Sequence, residues 1–253
     1  MKKVLSFLRK YWITVCIYIG MVVLYKIIAD NKLVNPFLFP STGAIVKAFS
    51  ENRSTMLLNM VSSFKLLIPS IVISLVLSLL AGTFLGMKKR IREIVYPVIY
   101  TISVVPSILL SPFALLLAPN FRAASLFLIV YQTIWGTLYA TITGIQTIDK
   151  RYLDNAATLE LNGFQKLSKV ILPAASPSIL AGFVNSLRGS FVMLVYAEMY
   201  GAKYGMGFFV KKYAEFGLYD KTWAGFIFMV VILVIVMQIF EKIKNHMLKW
   251  TTT

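Results

Sequence analysis

DNAATLELNGFQKLSKVILPAASPS, residues 154–178, is the stretch on which the reading of this chain turns. It carries four charged residues, Asp154, Glu160, Lys166 and Lys169, between long apolar runs on both sides. The spacing predicts two short helices. The first spans about 150–161, with Leu153, Ala156, Ala157 and Leu161 on one face, and Asn162-Gly163 stops it, because glycine accepts the left-handed conformation that ends helices. The second brings Phe164, Leu167 and Ile171 together and leaves Lys166 and Lys169 to solvent. Pro173 disfavours helix at Leu172, and Ser176-Pro177 is expected to restart one as N-cap and first-turn residue. The stretch holds no nucleophile–base pair and no metal ligands. Its assets are a small-residue face, an apolar patch and a short link to the next span. These suit an element that docks a partner and passes force into the membrane; the plainer alternative is an ordered surface loop.

The rest of the chain says what that element is attached to. Of 253 residues, 58% are hydrophobic and 14% charged, whereas soluble domains have about a quarter charged. Several runs of about 20 apolar residues are long enough to cross a bilayer. Spans are expected near 11–29, 58–87, 93–117, 123–147, 177–201 and 223–243, all helical, since the alternation of a barrel strand is absent. The N-terminal run is too long for a signal peptide and lacks a small-residue cleavage site, so it reads as a retained first span. A single cysteine and a single histidine leave no metal site of the usual spacing. The net charge of +16 comes with no nucleic-acid motif, and the charges sit between spans, so topology accounts for them.

Orientation follows from the basic flanks. Lys2, Lys3, Arg9, Lys10, Lys88, Lys89, Arg90, Arg92, Lys150, Arg151, Lys166, Lys169, Lys242, Lys244 and Lys249 fall on one side. Lys32, Lys47, Arg53, Arg122, Lys203, Lys211, Lys212 and Lys221 fall on the other, 15 against 8. Both termini and the 148–176 connection are therefore expected in the cytoplasm.

Three features inside the spans stand out. Ser70, Ser74, Ser78, Gly82 and Gly86 recur every four residues on one stripe, which allows close helix approach in lipid, either within the chain or against a second copy. Pro97, Pro106 and Pro112 punctuate the third span, and proline at such depth kinks a helix or frees carbonyls. Arg188 and Glu198 lie in the fifth span, ten residues and about 15 Å apart, too far to pair. An intramembrane charge normally faces a partner or a wet cavity. Arg188 is thus either half of a structural pair or a pathway residue that helps pass an anion. Gln132 and Trp135 in the fourth span are candidates to line the same cavity, with core packing the alternative for the tryptophan. The aromatic, basic segment 201–223 reads as lying in the membrane interface, or as an external gate or contact for a binding protein.

With these residues in view, 154–173 resembles the coupling loop of the permease subunits of bacterial ABC importers, Glu-Ala-Ala, three residues, Gly, nine residues, Ile, one residue, Leu-Pro. Counting back from Leu172-Pro173 places Asp154, Asn155 and Ala156 at Glu-Ala-Ala, Glu160 at Gly and Val170 at Ile. Ala157, Leu159 and Gly163 complete the stretch that the resemblance assigns to ATPase coupling. Asp154, Asn155 and Glu160 depart from the motif, and Gly163 is expected to supply the bend that the missing glycine would give. "LFPSTGAIVKAF" (38–49), "PVIYTISVVPSILLSPFALLLAPNF" (97–121) and "VYAEMYGAKYGMGFFV" (195–210) resemble the nitrate/sulfonate/taurine group of these permeases. The resemblance implies an all-α membrane protein of six transmembrane helices, with a cytoplasmic helix–turn–helix between helices 4 and 5, in a bacterial inner membrane. It further implies a homodimer, two cytoplasmic ATPases that hold ATP and Mg, and an extracytoplasmic binding protein that delivers a small anionic solute. Carriers of thiamine precursors, riboflavin, other small nutrients or iron-type cargo share the architecture. The chain has no G-x-x-x-x-G-K-[ST] phosphate loop, so ATP hydrolysis falls to another subunit and no cofactor is expected here. An autonomous secondary transporter or channel would need ion-coupling carboxylates in the spans, and only Glu198 is available.

Overall fold

Backbone in lipid must bond internally, and this chain does so with helices. The computed structural model describes residues 2–251, without side chains for 2–10 and 251. The side chains of the basic flank Lys2, Lys3, Arg9 and Lys10, and residues 252–253, thus fall outside what is described. The order is α1 (Lys2–Asp30), α2 (Thr42–Met87), α3 (Lys89–Ser103), a 3-10 turn (Ser107–Leu110), α4 (Ser111–Leu117), α5 (Phe121–Gln146), α6 (Lys150–Thr158), α7 (Gly163–Lys166), a π turn (Leu167–Ile171), α8 (Leu172–Gly201), α9 (Met206–Glu215) and α10 (Tyr219–Met247). The described residues contain no strand. Among the described residues five helices are long and apolar enough to cross a membrane, or six if α3 and α4 count as one bent span. The helix that contains the expected 58–87 span begins earlier, at Thr42. The proline-punctuated third span is broken rather than merely kinked: α3 and the Ser107–Leu117 segment meet at 79°.

The chain divides into two compact units. One comprises Met1–Leu57 with Phe209–Phe228, the other Leu58–Phe208 with Met229–Thr253. In the first, Ile45, Ala48, Met56, Phe209 and Ala224 make a buried cluster. The Trp223 indole donates to the Leu38 carbonyl at 2.9 Å, and the Tyr25 hydroxyl donates to Pro40 at 2.9 Å. The aromatic 201–223 segment therefore contains a helix whose Phe209 is only 3% exposed.

The second unit is built on α5 packed along α8. Gly136, Ala140 and Gly144 recur every four residues on α5 and meet Ser178, Gly182 and Ser186 at the same spacing on α8. A Cβ on Gly182 would collide with Ala140, and one on Gly136 with Ser186. Ser178 donates across the contact to the Ala140 carbonyl at 2.9 Å. Such small-residue seams substitute close backbone contact for a hydrophobic driving force that lipid does not provide. The Ser70–Gly86 stripe of α2 turns toward α5 within this chain. Ser70, Ser74 and Ser78 are buried, Ser78 donates to the Ile134 carbonyl at 2.9 Å, and Gly82 and Gly86 abut Thr141 and Ile145.

Prolines explain where the helices bend and what repairs them. A helical proline leaves the carbonyl four residues back without its N–H donor. Pro106 is extended and lies in the break between α3 and α4, where the Ile102 carbonyl accepts from the Val105 amide at 3.1 Å and from the Tyr131 hydroxyl at 2.5 Å. Pro69 lies inside α2 and orphans the Lys65 carbonyl, which accepts from Arg122 Nη2 at 3.3 Å. Pro177 orphans the Pro173 carbonyl, which accepts from the Ser176 hydroxyl at 2.8 Å. This last repair overturns the expected helix restart at Ser176-Pro177. Pro173 occupies the first turn of α8, where no donor is needed, and the helix continues through Pro177 to Gly201.

Candidate functional site

The connection between α5 and α8 is a helical hairpin. Asp149 caps α6, accepting from the Arg151 amide at 2.9 Å and from the Arg151 guanidinium at 2.6 Å. These hydrogen bonds hold the exposed Asp149 carboxyl down at about 2. At the other end, α6 stops earlier than expected, at Thr158. The Leu161 amide bonds to the Ala156 carbonyl at 2.9 Å and the Glu160 amide to Ala157 at 3.0 Å, the pair of bonds that defines a Schellman ending. The residue in its left-handed position is Glu160, with φ 53°. Glu160 therefore adopts the conformation for which the importer motif carries glycine. Gly163, expected to supply that bend, has φ 51° and opens α7 instead. The substitution leaves the turn in place and strains it.

The faces of the hairpin also differ from expectation. Ala156 is buried, and Leu153 and Leu161 are half-buried, but Ala157 is exposed. Phe164 does not join Leu167 and Ile171. It is 79% exposed, and Leu159 is 70% exposed. The cause is the π turn at Leu167–Ile171. Its extra residue rotates the preceding segment by about 100° relative to α8. Asp154, Asn155 and Glu160 are exposed on the same hairpin. A cleft of about 180 Å³ lies beside them, lined by Asn155, Leu159, Val170, Pro173 and Trp250 among others. Of the nine residues assigned to coupling (Asp154, Asn155, Ala156, Ala157, Leu159, Glu160, Gly163, Leu172, Pro173), the first six lie on α6 and the turn that ends it, and the last three on the helical stretch that runs from Gly163 into α8.

The four pathway candidates go to different places. Arg188 is exposed on the face of α8 that also shows Ala181, Asn185 and Val192, and it makes no salt bridge among the described residues. Gln132 is held by Ser107, whose hydroxyl donates to Gln132 Oε1 at 2.6 Å, and its amide lies against Gly189, next to Arg188 in sequence. Trp135 packs with Leu85, Leu138, Ile142, Val95 and Ile99, its indole N–H buried without a partner among the described residues.

Glu198 is 2% exposed and is hydrogen-bonded within the fold. It accepts from the Gly207 amide at 2.8 Å. Asn59 accepts from the Gly205 amide at 2.8 Å, and Ser63 from the Met206 amide at 2.9 Å. Three successive amides leading into α9 are thus each satisfied by a buried side chain from α2 or α8, meeting the need of a helix start for acceptors. Gly205, at φ 137°, lies so close to the Glu198 carboxylate that a Cβ would overlap it. Asn59 and Ser63 escaped the sequence reading because a lone polar residue in a long apolar helix carries no periodic signal.

Apolar helices too long for a soluble core, a small-residue seam in place of a hydrophobic one, and an exposed helical hairpin between α5 and α8 define a membrane-embedded transport component. The chain belongs to the family of binding-protein-dependent transport system inner membrane components, whose pattern matches residues 74–249. A Bacillus subtilis protein named as an aliphatic sulfonates transport permease, SsuC, is 29% identical over 169 residues, which are 67% of this chain and 61% of that protein. The nitrate import permease protein NrtB of Synechococcus elongatus is 26% identical over 169 residues, 66% of this chain and 61% of that protein. The matched region therefore spans less than two thirds of the length of these relatives. A solved structure of the MetNI methionine ABC transporter in inward-facing conformations shares the fold, with a TM-score of 0.64 at 14% identity, over 77% of this chain and 97% of that one.

Proposed function

We propose that this chain is the membrane-spanning permease subunit of an ATP-driven importer in a bacterial inner membrane, with both termini in the cytoplasm. Two copies enclose a pathway, two cytoplasmic ATPases bind ATP and Mg, and an extracytoplasmic binding protein delivers a small anionic solute. The observation that carries this reading is the hairpin: Leu159 and Phe164, apolar and largely exposed, flank its turn, and Phe164 stands on the helical stretch that continues into α8. Exposed apolar side chains on a polar surface are anchors for a partner. Because α8 runs unbroken from Leu172 to Gly201, closure of the ATPases against the hairpin tilts the helix that carries Arg188.

The relatives named for sulfonate and nitrate, both oxyanions, support an anionic cargo, and so does Arg188, which is exposed and without a salt bridge among the described residues. Arg188, with Gln132 beside it, faces the pathway and passes the anionic group. Uptake by proteoliposomes holding this chain should require the ATPase, the binding protein and ATP; solute movement by the chain alone refutes the proposal. Reversing charge at Asp154 and Glu160 together should weaken co-purification of the ATPase. An Arg188→Ala variant that assembles, couples and transports the same solutes at the same rate would remove Arg188 from the pathway.

A further inference from the structure

At the end of the second unit where α8 finishes, on the side the charge distribution assigns to the outside, a cavity of about 220 Å³ opens between α2, α5 and the residues after α8. Lys65, Arg122 and Lys203 line it. None of the three forms an ion pair among the described residues, and Glu198, the carboxylate in the wall, is buried and bonded to the Gly207 amide. The cavity therefore gathers three cations against one acid that is already engaged. Arg122 is also held in place. Pro69 leaves the Lys65 carbonyl without a helical donor, and Arg122 Nη2 takes it at 3.3 Å, which fixes the guanidinium at the cavity rim with its remaining N–H groups free to bond elsewhere. As the second residue of α5, Arg122 adds to the partial positive charge of that helix start rather than offsetting it. Like charges gathered in a concave site raise the local concentration of anions.

We propose that this cavity is an oxyanion-binding site, distinct from the Arg188 pathway, in which Lys65, Arg122 and Lys203 together hold a sulfonate, nitrate or phosphate group. The occupant is either a soluble oxyanion arriving from outside or the phosphate of an anionic lipid headgroup; both present the same chemistry to the three cations. The site rests on the membrane orientation above. It is read out by binding without ATPase, so a failure of transport leaves it untouched.

The test uses the full chain in nanodiscs of phosphatidylcholine, titrated with nitrate and with ethanesulfonate, and in a second preparation containing phosphatidylglycerol. Wild type should bind a soluble anion saturably, or retain phosphatidylglycerol in native mass spectrometry. The first result assigns the site to a soluble solute and the second to lipid. Neutralising one cation removes a charge-assisted contact, so Lys65→Gln, Arg122→Gln and Lys203→Gln should each weaken binding about tenfold, while Lys242→Gln leaves it unchanged. Should loss of the Lys65 carbonyl contact unfold Arg122→Gln, the two lysine variants carry the test. Absence of both soluble-anion binding and lipid retention, or lysine variants that bind like wild type, overturns the proposal.

Discussion

Glu160 gives the sharpest test of how this chain departs from its family motif. Its φ of 53° costs a non-glycine residue about 1–2 kcal/mol. Glycine in the same place relieves that strain but loses more backbone freedom on folding, about 0.5–1 kcal/mol. Glu160→Gly should therefore stabilise the hairpin by roughly 0.5–1 kcal/mol. The Asn162 side chain still donates to the residue-160 carbonyl, 3.1 Å away in the native turn, so no hydrogen bond is lost. Two amides report the effect, those of residues 160 and 161, because they close the Schellman ending on Ala157 and Ala156. Hydrogen exchange by local opening at these sites should slow about two- to fivefold in the glycine variant. Glu160→Val places a β-branched residue where it is a steric outlier and should speed exchange instead. A glycine variant that exchanges as fast as wild type, or faster, refutes the assignment of strain to this residue.

Other consequences are equally direct. Gly182→Leu should lower thermal stability by at least about 1–3 kcal/mol through overpacking of the α5–α8 seam, whereas Gly20→Leu, with no atom near its Cβ position, should leave melting unchanged. Glu198→Ala strands the Gly207 amide and should cost about 1–3 kcal/mol, with Glu198→Gln milder because its side-chain carbonyl still accepts; equal melting of all three proteins would remove Glu198 from the α9 cap. Asp149 has its folded pKa lowered from 3.8 to about 2 by Arg151, so its support of the α6 start is full above pH 3.8 and fades as pH falls through about 2. Protection of the Arg151 amide should follow that profile and lose it in Asp149→Asn. A carboxyl titrating near its ordinary value would contradict the pairing.

Much of this was open to inspection without coordinates. Lipid penalises unsatisfied backbone and charge so heavily that apolar run length alone marks the spans, and the 154–173 stretch announced a hairpin through its turn residues. Other features were hidden, each for an identifiable reason. A proline shows where a donor is missing but not what replaces it, so the Pro69 and Pro177 repairs depended on Arg122 and Ser176 being within reach. The π turn carries no signature in composition, and it shifts the register between Phe164 and α8. The Gly136–Gly144 stripe of α5 has the same four-residue period as the stripe in α2, but a period says only that a helix can approach closely, never which helix it meets.

What the amino-acid order determined by itself is therefore the local and the solvent-driven: helices, their apolar lengths, the charge bias of their flanks and the hairpin between α5 and α8, since each depends on neighbours in the chain or on contact with lipid and water. Tertiary structure alone decided which polar groups find each other. Glu198, Asn59 and Ser63 lie up to 139 residues apart in the chain (198 − 59), yet they satisfy three consecutive amides. Hydrogen bonds act over about 3 Å, and only the folded path of the backbone brings those atoms that close.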